Sequence, residues 1–203
     1  MPPPHVFFRY HKPRGVLSTT LRTPQGRSIM EALSQEQRAW LAHETGGRFV
    51  VPVGRLDKDS SGLLLLTTDE SVTATLLRPG EGGSPLSKVY LVETRKRVQT
   101  AVLEQLRQGV ELRIRDWGRG TKAVQTRPCS IERLEERLLR FELREGKNRQ
   151  IRKMLGSAGH DAQRLHRVAF GPVQLDGLEA NELRRMTQEE VRALLQAAAT
   201  SAV

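Results

Sequence analysis

Residues 54–69 read GRLDKDSSGLLLLTTD, and this stretch decides how the chain folds. Four consecutive leucines followed by two threonines indicate a β-strand that is buried on both faces. Arg55, Asp57, Lys58 and Asp59 come directly before the leucines. The sequence therefore places charged side chains at the end of its most buried strand, although charged residues usually lie on the surface.

The remainder of the chain predicts an α+β fold built around that strand. Residues 88–94 and 138–144 alternate apolar and polar side chains, as half-buried strands do, and residues 147–158 place their apolar side chains on one stripe of a helix. The order of elements predicts one domain over 1–203, with a large, mixed, mainly antiparallel sheet and peripheral helices. The small residues of 197–203 predict a frayed tail.

The charge of the chain points to a polyanionic partner. Lys and Arg number 33 and Asp and Glu number 23, a net charge of +10. The excess recurs within structured segments, at 95–97, 113–122 and 147–153, and phosphate groups bound there would release condensed counterions. This pattern favours a nucleic-acid groove over an ordinary solvated basic surface. Aromatic residues make up only 4%, which argues against a platform that stacks many bases.

Several other classes of protein do not fit the sequence. No apolar run approaches the roughly 18 residues of a membrane span. The first residues, MPPPHVFF, lack the core of a secretory signal, so we expect a cytoplasmic protein. Cys129 is the one cysteine, which excludes an internal disulfide and is best interpreted as a small strand residue. There is no phosphate-binding glycine loop and no histidine spacing typical of a metal site, so we expect no cofactor and no metal.

The opening stretch also resembles the first half of a calcium loop. Asp57, Asp59, Ser61 and Gly62 have the required spacing. The loop needs a bidentate Glu at its twelfth position, where this chain has Thr68, so calcium is excluded. Two interpretations of Asp57 remain from the residues alone: a turn-capping side chain, or a chemically active carboxylate that needs a nearby cation to stay ionised.

Five segments together resemble one known family. GRLDKDSSGLLLLTTD is similar to the signature of pseudouridine synthases, in the branch that modifies ribosomal RNA of the small and large subunits. HKPRGVLST at 11–19, SKVYLVE at 87–93, EGKNRQIRKML at 145–155 and RLHRVAFGPVQLDGL at 164–178 resemble further motifs of that branch, in the same order. The resemblance covers nearly the whole chain.

The resemblance implies a pseudouridine synthase fold with a central RNA-binding cleft. It implies an isomerase that converts a uridine of ribosomal RNA to pseudouridine without a cofactor. Most members of the branch carry an S4-type RNA-binding domain first, and here the motifs begin too early for one. The chain thereby resembles the short members that act on large-subunit RNA, so 23S rRNA is the expected substrate. Alternatives are a non-catalytic rRNA-binding or assembly factor and a tRNA uridine isomerase. Nothing marks a large exposed apolar patch, so we expect a monomer.

Three residues are implied as catalytic by the resemblance. Asp57 corresponds to the carboxylate that acts on the ribose or on the base. Arg152 corresponds to the basic residue that pairs with that aspartate. Tyr90 corresponds to the tyrosine that lies against the target base and is associated with removal of the C5 proton. Asp59 is left as a turn or cap residue.

A second set is expected to contact RNA. Ile151 is expected to give the base an apolar wall, and Arg55 to occupy the space that the flipped base leaves. The other members are basic side chains that we expect at phosphates, although Lys147 and Lys153 also fit a solvated face. The complete set is Lys12, Arg55, Lys147, Arg149, Ile151, Lys153 and Arg167.

Overall fold

The computed structural model describes residues 6–77, 86–116 and 120–200, with only the backbone described at 115, 116 and 200. In this part of the chain there are eleven strands: β1 (Phe7–Lys12), β2 (Val51–Val53), β3 (Ser61–Thr67), β4 (Lys88–Thr94), β5 (Glu111–Asp116), β6 (Gly120–Gln125), β7 (Ser130–Arg133), β8 (Leu138–Leu143), β9 (Ala162–Phe170), β10 (Val173–Gln174) and β11 (Leu183–Arg185). There are six helices: α1 (Ile29–Ala32), α2 (Gln35–Thr45), α3 (Glu70–Leu77), α4 (Thr100–Gln108), α5 (Gln150–Ser157) and α6 (Gln188–Thr200).

The leucine strand β3 lies inside a nine-stranded sheet. Seven strands follow the order β11–β1–β3–β9–β4–β8–β7, while β2 pairs with β3 and β10 pairs with β9. The side chains of β3 alternate between two hydrophobic cores, one on each face of the sheet. Leu64 and Leu66 belong to the larger core, whereas Leu63 and Leu65 belong to the smaller one, which α6 covers. The unbroken run of leucines is explained by this burial on both faces, since neither face of β3 meets water.

The sheet is mixed, as the sequence predicts. Within the described residues β3 and β9 pair in parallel at Ser61–His166 and Gly62–Arg167, and the other pairings of this sheet are antiparallel. Strand β9 pairs with the first residues of β3, whereas β2 pairs with its last residues. One side of β3 is therefore paired first with β9 and then with β2. The loop from β2 to β3 lies next to the point where one partner replaces the other. β5 and β6 form a separate hairpin.

Two expectations about the ends of helices are corrected. Helix α6 continues to Thr200, and Ala198 is buried in the smaller core, so fraying is wrong for 197–200. Residues 201–203 lie outside the described residues. Helix α5 begins at Gln150 rather than at 147, because Arg149 has a left-handed backbone and stands before the first turn. Among the described residues, no helix is both long enough and apolar enough to cross a membrane.

Candidate active site

The loop that carries Asp57 is fixed by hydrogen bonds on both sides of that residue. Ser18 accepts a hydrogen bond from the Leu56 amide at 2.9 Å and donates one to the Leu56 carbonyl at 2.8 Å. The Ser60 amide donates to the Asp57 carbonyl at 3.0 Å, which closes a turn directly before β3. The loop is therefore mounted on the most buried strand of the sheet, and Asp57 has a defined backbone position.

A cleft of about 770 Å³ opens at this loop. Its walls come from the loop itself, from β4 and β9, and from the start of α5. Eight of the ten residues expected in the site line it: Arg55, Asp57, Tyr90, Lys147, Arg149, Ile151, Arg152 and Arg167. The structure thus gathers side chains that are up to 112 positions apart in sequence into one concave surface, the usual form of a ligand site.

Tyr90 and Ile151 are two of the apolar side chains that line the cleft. Tyr90 lies on β4, directly opposite Phe141 of β8 and Arg167 of β9. Its side chain is buried, as is that of Ile151 in the first turn of α5. Both side chains therefore line the same cleft as Asp57.

Two carboxylates and two guanidinium groups meet at the mouth of the cleft. Arg149 donates two parallel hydrogen bonds to Asp59, from Nη1 to Oδ1 at 2.9 Å and from Nη2 to Oδ2 at 3.0 Å. The same Nη1 lies 3.7 Å from Asp57 Oδ2. The Asp59 hydrogen bond raises the pKa of Arg149, and it is the largest cause that holds the pKa of Asp59 below its usual range.

Arg152 also turns toward Asp59 rather than Asp57. Its Nη2 donates to the Asp59 carbonyl at 3.1 Å and its Nη1 to the Ala162 carbonyl at 2.6 Å. Its Nε lies 3.3 Å from Asp59 Oδ2 but is not aligned for a hydrogen bond. Arg152 therefore lies in the cleft as expected, but the ion pair with Asp57 within 4 Å is made by Arg149. The expected pairing of Asp57 with Arg152 is not the one that the structure has.

Arg149 occupies an unusual backbone conformation. Its φ is 51° and its ψ is 37°, the left-handed region that side chains other than glycine rarely adopt. This residue is the N-cap of α5 but makes no side-chain cap to the helix, because a guanidinium has no acceptor for the helix amides. Its guanidinium is bound to Asp59.

Two of the side chains expected at phosphates, Lys12 and Arg167, are buried in this structure. Lys12 is fully buried, and its ammonium donates to the carbonyls of Pro13 at 3.0 Å and Val16 at 2.7 Å. Burial lowers its pKa to about 8. Arg167 is 2% exposed and donates from Nε to the Leu63 carbonyl at 2.7 Å, so its charge supports the strands under the loop. Both residues are inside the sheet because their strands are central ones.

The two remaining lysines of the expected set have different surroundings. Lys147 lines the cleft and forms an ion pair with Glu145. Lys153 is not among the residues that line the cleft, and its ammonium lies 3.5 Å from the Asn148 side chain. Lys153 thus fits the solvated face that the sequence left open for it.

The sequence analysis did not predict the roles of two residues of the site. Asp59 binds arginine side chains, and Lys88 lines the cleft. Lys88 is buried, and its ammonium lies 5.4 Å from the centre of the Phe170 ring. Burial, followed by the charge of Arg167, lowers its pKa to about 8. The alternation of β4 could have found it, because Lys88 and Tyr90 are two positions apart and share a face. No group of three or more metal-ligating side chains occurs in the part of the chain that the structure describes.

Comparison with known proteins gives consistent matches. The family model described as RNA pseudouridylate synthase matches residues 6–157. A ribosomal small subunit pseudouridine synthase A from Pseudomonas aeruginosa is 31% identical over 93% of this chain and 74% of its own length. A ribosomal large subunit pseudouridine synthase B from Bacillus subtilis is 29% identical over 93% of this chain and 71% of its own length. A solved pseudouridylate synthase structure superposes with a TM-score of 0.75 at 26% identity, covering 94% of this chain and 74% of that chain.

Proposed function

This chain belongs to the RNA pseudouridylate synthase family, and we propose that it converts a specific uridine of ribosomal RNA to pseudouridine, with 23S rRNA as the substrate. The relatives at 29% and 31% identity are named for the large and the small ribosomal subunit, which supports ribosomal RNA as the class of substrate. Bacterial ribosomal RNA is a cytoplasmic molecule, so we propose the same location for the enzyme. The monomeric state stays a prediction.

The reaction requires little beyond a carboxylate and a place to turn the base. The glycosidic bond between N1 and C1′ breaks, the uracil rotates, and a new bond joins C5 to C1′. C5 loses its proton and N1 gains one, so no atom is lost and nothing is oxidised. A carboxylate can stabilise positive charge that develops on the ribose, or it can attack as a nucleophile.

We propose Asp57 as this carboxylate and Tyr90 as the side chain that faces the base. The observation that carries the proposal is that one cleft contains both residues, with Ile151 as an apolar wall and two arginines at its mouth. Arg149 Nη1 is 3.7 Å from Asp57 Oδ2, so a positive charge lies beside the carboxylate. Arg152 contributes a second positive charge through its contacts with Asp59.

The target uridine has to leave its stack to reach Asp57. Extrusion of a nucleotide costs a few kcal/mol, which contacts with phosphates and with the emptied position offset. We propose that Arg55, which is exposed at the cleft, occupies the emptied position. Lys147 is the proposed phosphate contact at the rim, and the net charge of +10 supports a general attraction to RNA.

The substrate is tested with unmodified transcripts of 23S, 16S and transfer RNA from the source organism, each labelled with tritium at C5 of uridine. Formation of pseudouridine releases this tritium to water, and reverse-transcription stops after carbodiimide treatment locate the modified position. We expect release from 23S rRNA at one site. Release from 16S rRNA or from tRNA alone would overturn the substrate. Tight binding of rRNA without release from any transcript would favour the non-catalytic alternative.

A further inference from the structure

Asp59 holds most of the arginine contacts at the mouth of the cleft. It accepts two hydrogen bonds from Arg149, at 2.9 Å and 3.0 Å, and its side chain lies 3.3 Å from Arg152 Nε. Asp57, only two positions earlier, has one arginine atom at 3.7 Å. That distance is longer than a hydrogen bond. Within the described residues, no hydrogen bond to the Asp57 carboxylate occurs.

The division of contacts follows from the geometry of a guanidinium group. Its two terminal nitrogens match the two oxygens of a carboxylate, and a guanidinium used in this way has no second pair of donors facing the same direction. Because Asp59 occupies both terminal nitrogens of Arg149, Asp57 receives the electric field of the arginine without a hydrogen bond from it.

A carboxylate that lies near a positive charge but accepts no hydrogen bond from it is suited to reaction. A carboxylate that acts on C1′ or on the base must be ionised, and its oxygens must also be available to the substrate. A bidentate arginine would keep the carboxylate ionised but would bind the same oxygens. The left-handed backbone of Arg149 supports the view that its position is specified, because a residue in that region persists only where its surroundings hold it there.

We propose that Asp59 is a positioning residue for the reaction, which binds Arg149 so that the carboxylate oxygens of Asp57 stay free for the substrate. The inference rests on the proposed role of Asp57. Asp59 touches neither the ribose nor the base in this account, and it acts through Arg149. Without the charge of Asp59, Arg149 loses its best acceptor, and Asp57 is the carboxylate already within 3.7 Å of it.

The test uses Asp59→Asn, which keeps the shape of the side chain and removes its charge. We expect kcat to fall about 10- to 100-fold, as for a misplaced catalytic group. We expect KM for rRNA to stay the same or to decrease, since a negative charge near the phosphates is removed. This fall in kcat without a rise in KM is expected because Arg149 then pairs directly with Asp57. A higher KM with unchanged kcat would overturn the inference.

A second variant separates this role from a purely structural one. Arg149→Met is expected to lower kcat in the wild-type background, where the arginine supports Asp57. In the Asp59→Asn background the same substitution is expected to restore part of kcat, because it releases Asp57. If Arg149→Met lowers kcat in both backgrounds, Asp59 does not act by holding Arg149.

Asp57→Asn, measured in parallel, distinguishes a failure of the role proposed for Asp59 from a failure of the role proposed for Asp57. If Asp57→Asn is inactive and the Asp59 results fail, only the positioning role is wrong. If Asp57→Asn keeps the wild-type rate, the proposed role of Asp57 is wrong and Asp59 has nothing to position.

Discussion

Replacing Gly62 by alanine tests the close contact between β3 and β9 that lies beneath the loop of Asp57. A Cβ atom at position 62 would lie 2.2 Å from the Arg167 carbonyl oxygen and 2.6 Å from its amide nitrogen. Both atoms belong to backbone, so a strand has to move, at about 1–3 kcal/mol for such overpacking. The φ of +108° adds about 1–2 kcal/mol for a residue with a Cβ. We therefore expect Gly62→Ala to lower the free energy of unfolding by about 2–5 kcal/mol.

Two other glycines provide matched controls for this measurement. Gly159 has a φ of +76° and open space around its Cβ position, so Gly159→Ala isolates the conformational cost of about 1–2 kcal/mol. Gly156 lies in helix α5 with open space, and Gly156→Ala should stabilise the protein by about 0.5–1 kcal/mol. The assay is urea unfolding followed by circular dichroism. If Gly62→Ala costs no more than Gly159→Ala, the inferred contact between the strands is wrong.

Three further predictions concern buried groups. Burial lowers the pKa of Lys88 to about 8, so the folded protein binds fewer protons than the unfolded chain between about pH 8 and pH 10.5. The free energy of unfolding should rise through this range in wild type and rise less in Lys88→Met, as urea titrations at each pH would measure. Lys12→Met should leave the salt dependence of rRNA binding unchanged, whereas Lys147→Met should reduce the slope of log K against log salt by about 0.7–0.9. The reason is that Lys147 is proposed to contact a phosphate and Lys12 is buried. An equal reduction for Lys12→Met would contradict its burial. Burial raises the pKa of the Cys129 thiol from 9.0 to about 11. Its reaction with a disulfide reagent at pH 8 should therefore be about 100-fold slower in the folded protein than in the urea-unfolded chain. Comparable rates in the two states would contradict the burial of this thiol.

The local parts of this fold were predictable because each depends on neighbouring residues. The run of leucines in β3 predicts burial on both faces, and the alternation of 88–94 predicts strand β4 with its correct bounds. The apolar stripe of α5 places Ile151 inward, where the structure has it. Each pattern reflects the repeat of a strand or helix with its apolar side chains facing the core. A short stretch of sequence is therefore enough to predict the element.

The pairing of charges at the cleft was not predictable in the same way. Asp59 and Arg149 are 90 positions apart, and their contact depends on how α5 packs beside the loop. Asp57 and Asp59 are only two positions apart, so the local sequence does not distinguish them. Only the packing of α5 decides which carboxylate receives the two hydrogen bonds of Arg149.

The burial of cations was the second failure of local reasoning. Lys12 precedes a turn and looks exposed, yet the carbonyls of Pro13 and Val16 in that turn bind its ammonium. Arg167 carries a signal that could have been used, since it shares a strand face with the buried Leu165 two positions earlier. Charge alone indicated a phosphate contact, whereas strand position indicated burial.

Asp57→Asn tests the central claim, that Asp57 performs the chemistry of this cleft, most directly. The measurement is the rate of tritium release from 23S rRNA labelled at C5 of uridine, with rRNA binding measured in parallel. The matched control is Asp176→Asn, which removes one exposed carboxylate outside the cleft lining. We expect Asp57→Asn to bind rRNA and its rate of tritium release to fall to about one-thousandth of wild type or lower. Asp176→Asn should keep the wild-type rate. Release by Asp57→Asn at the wild-type rate would contradict the claim.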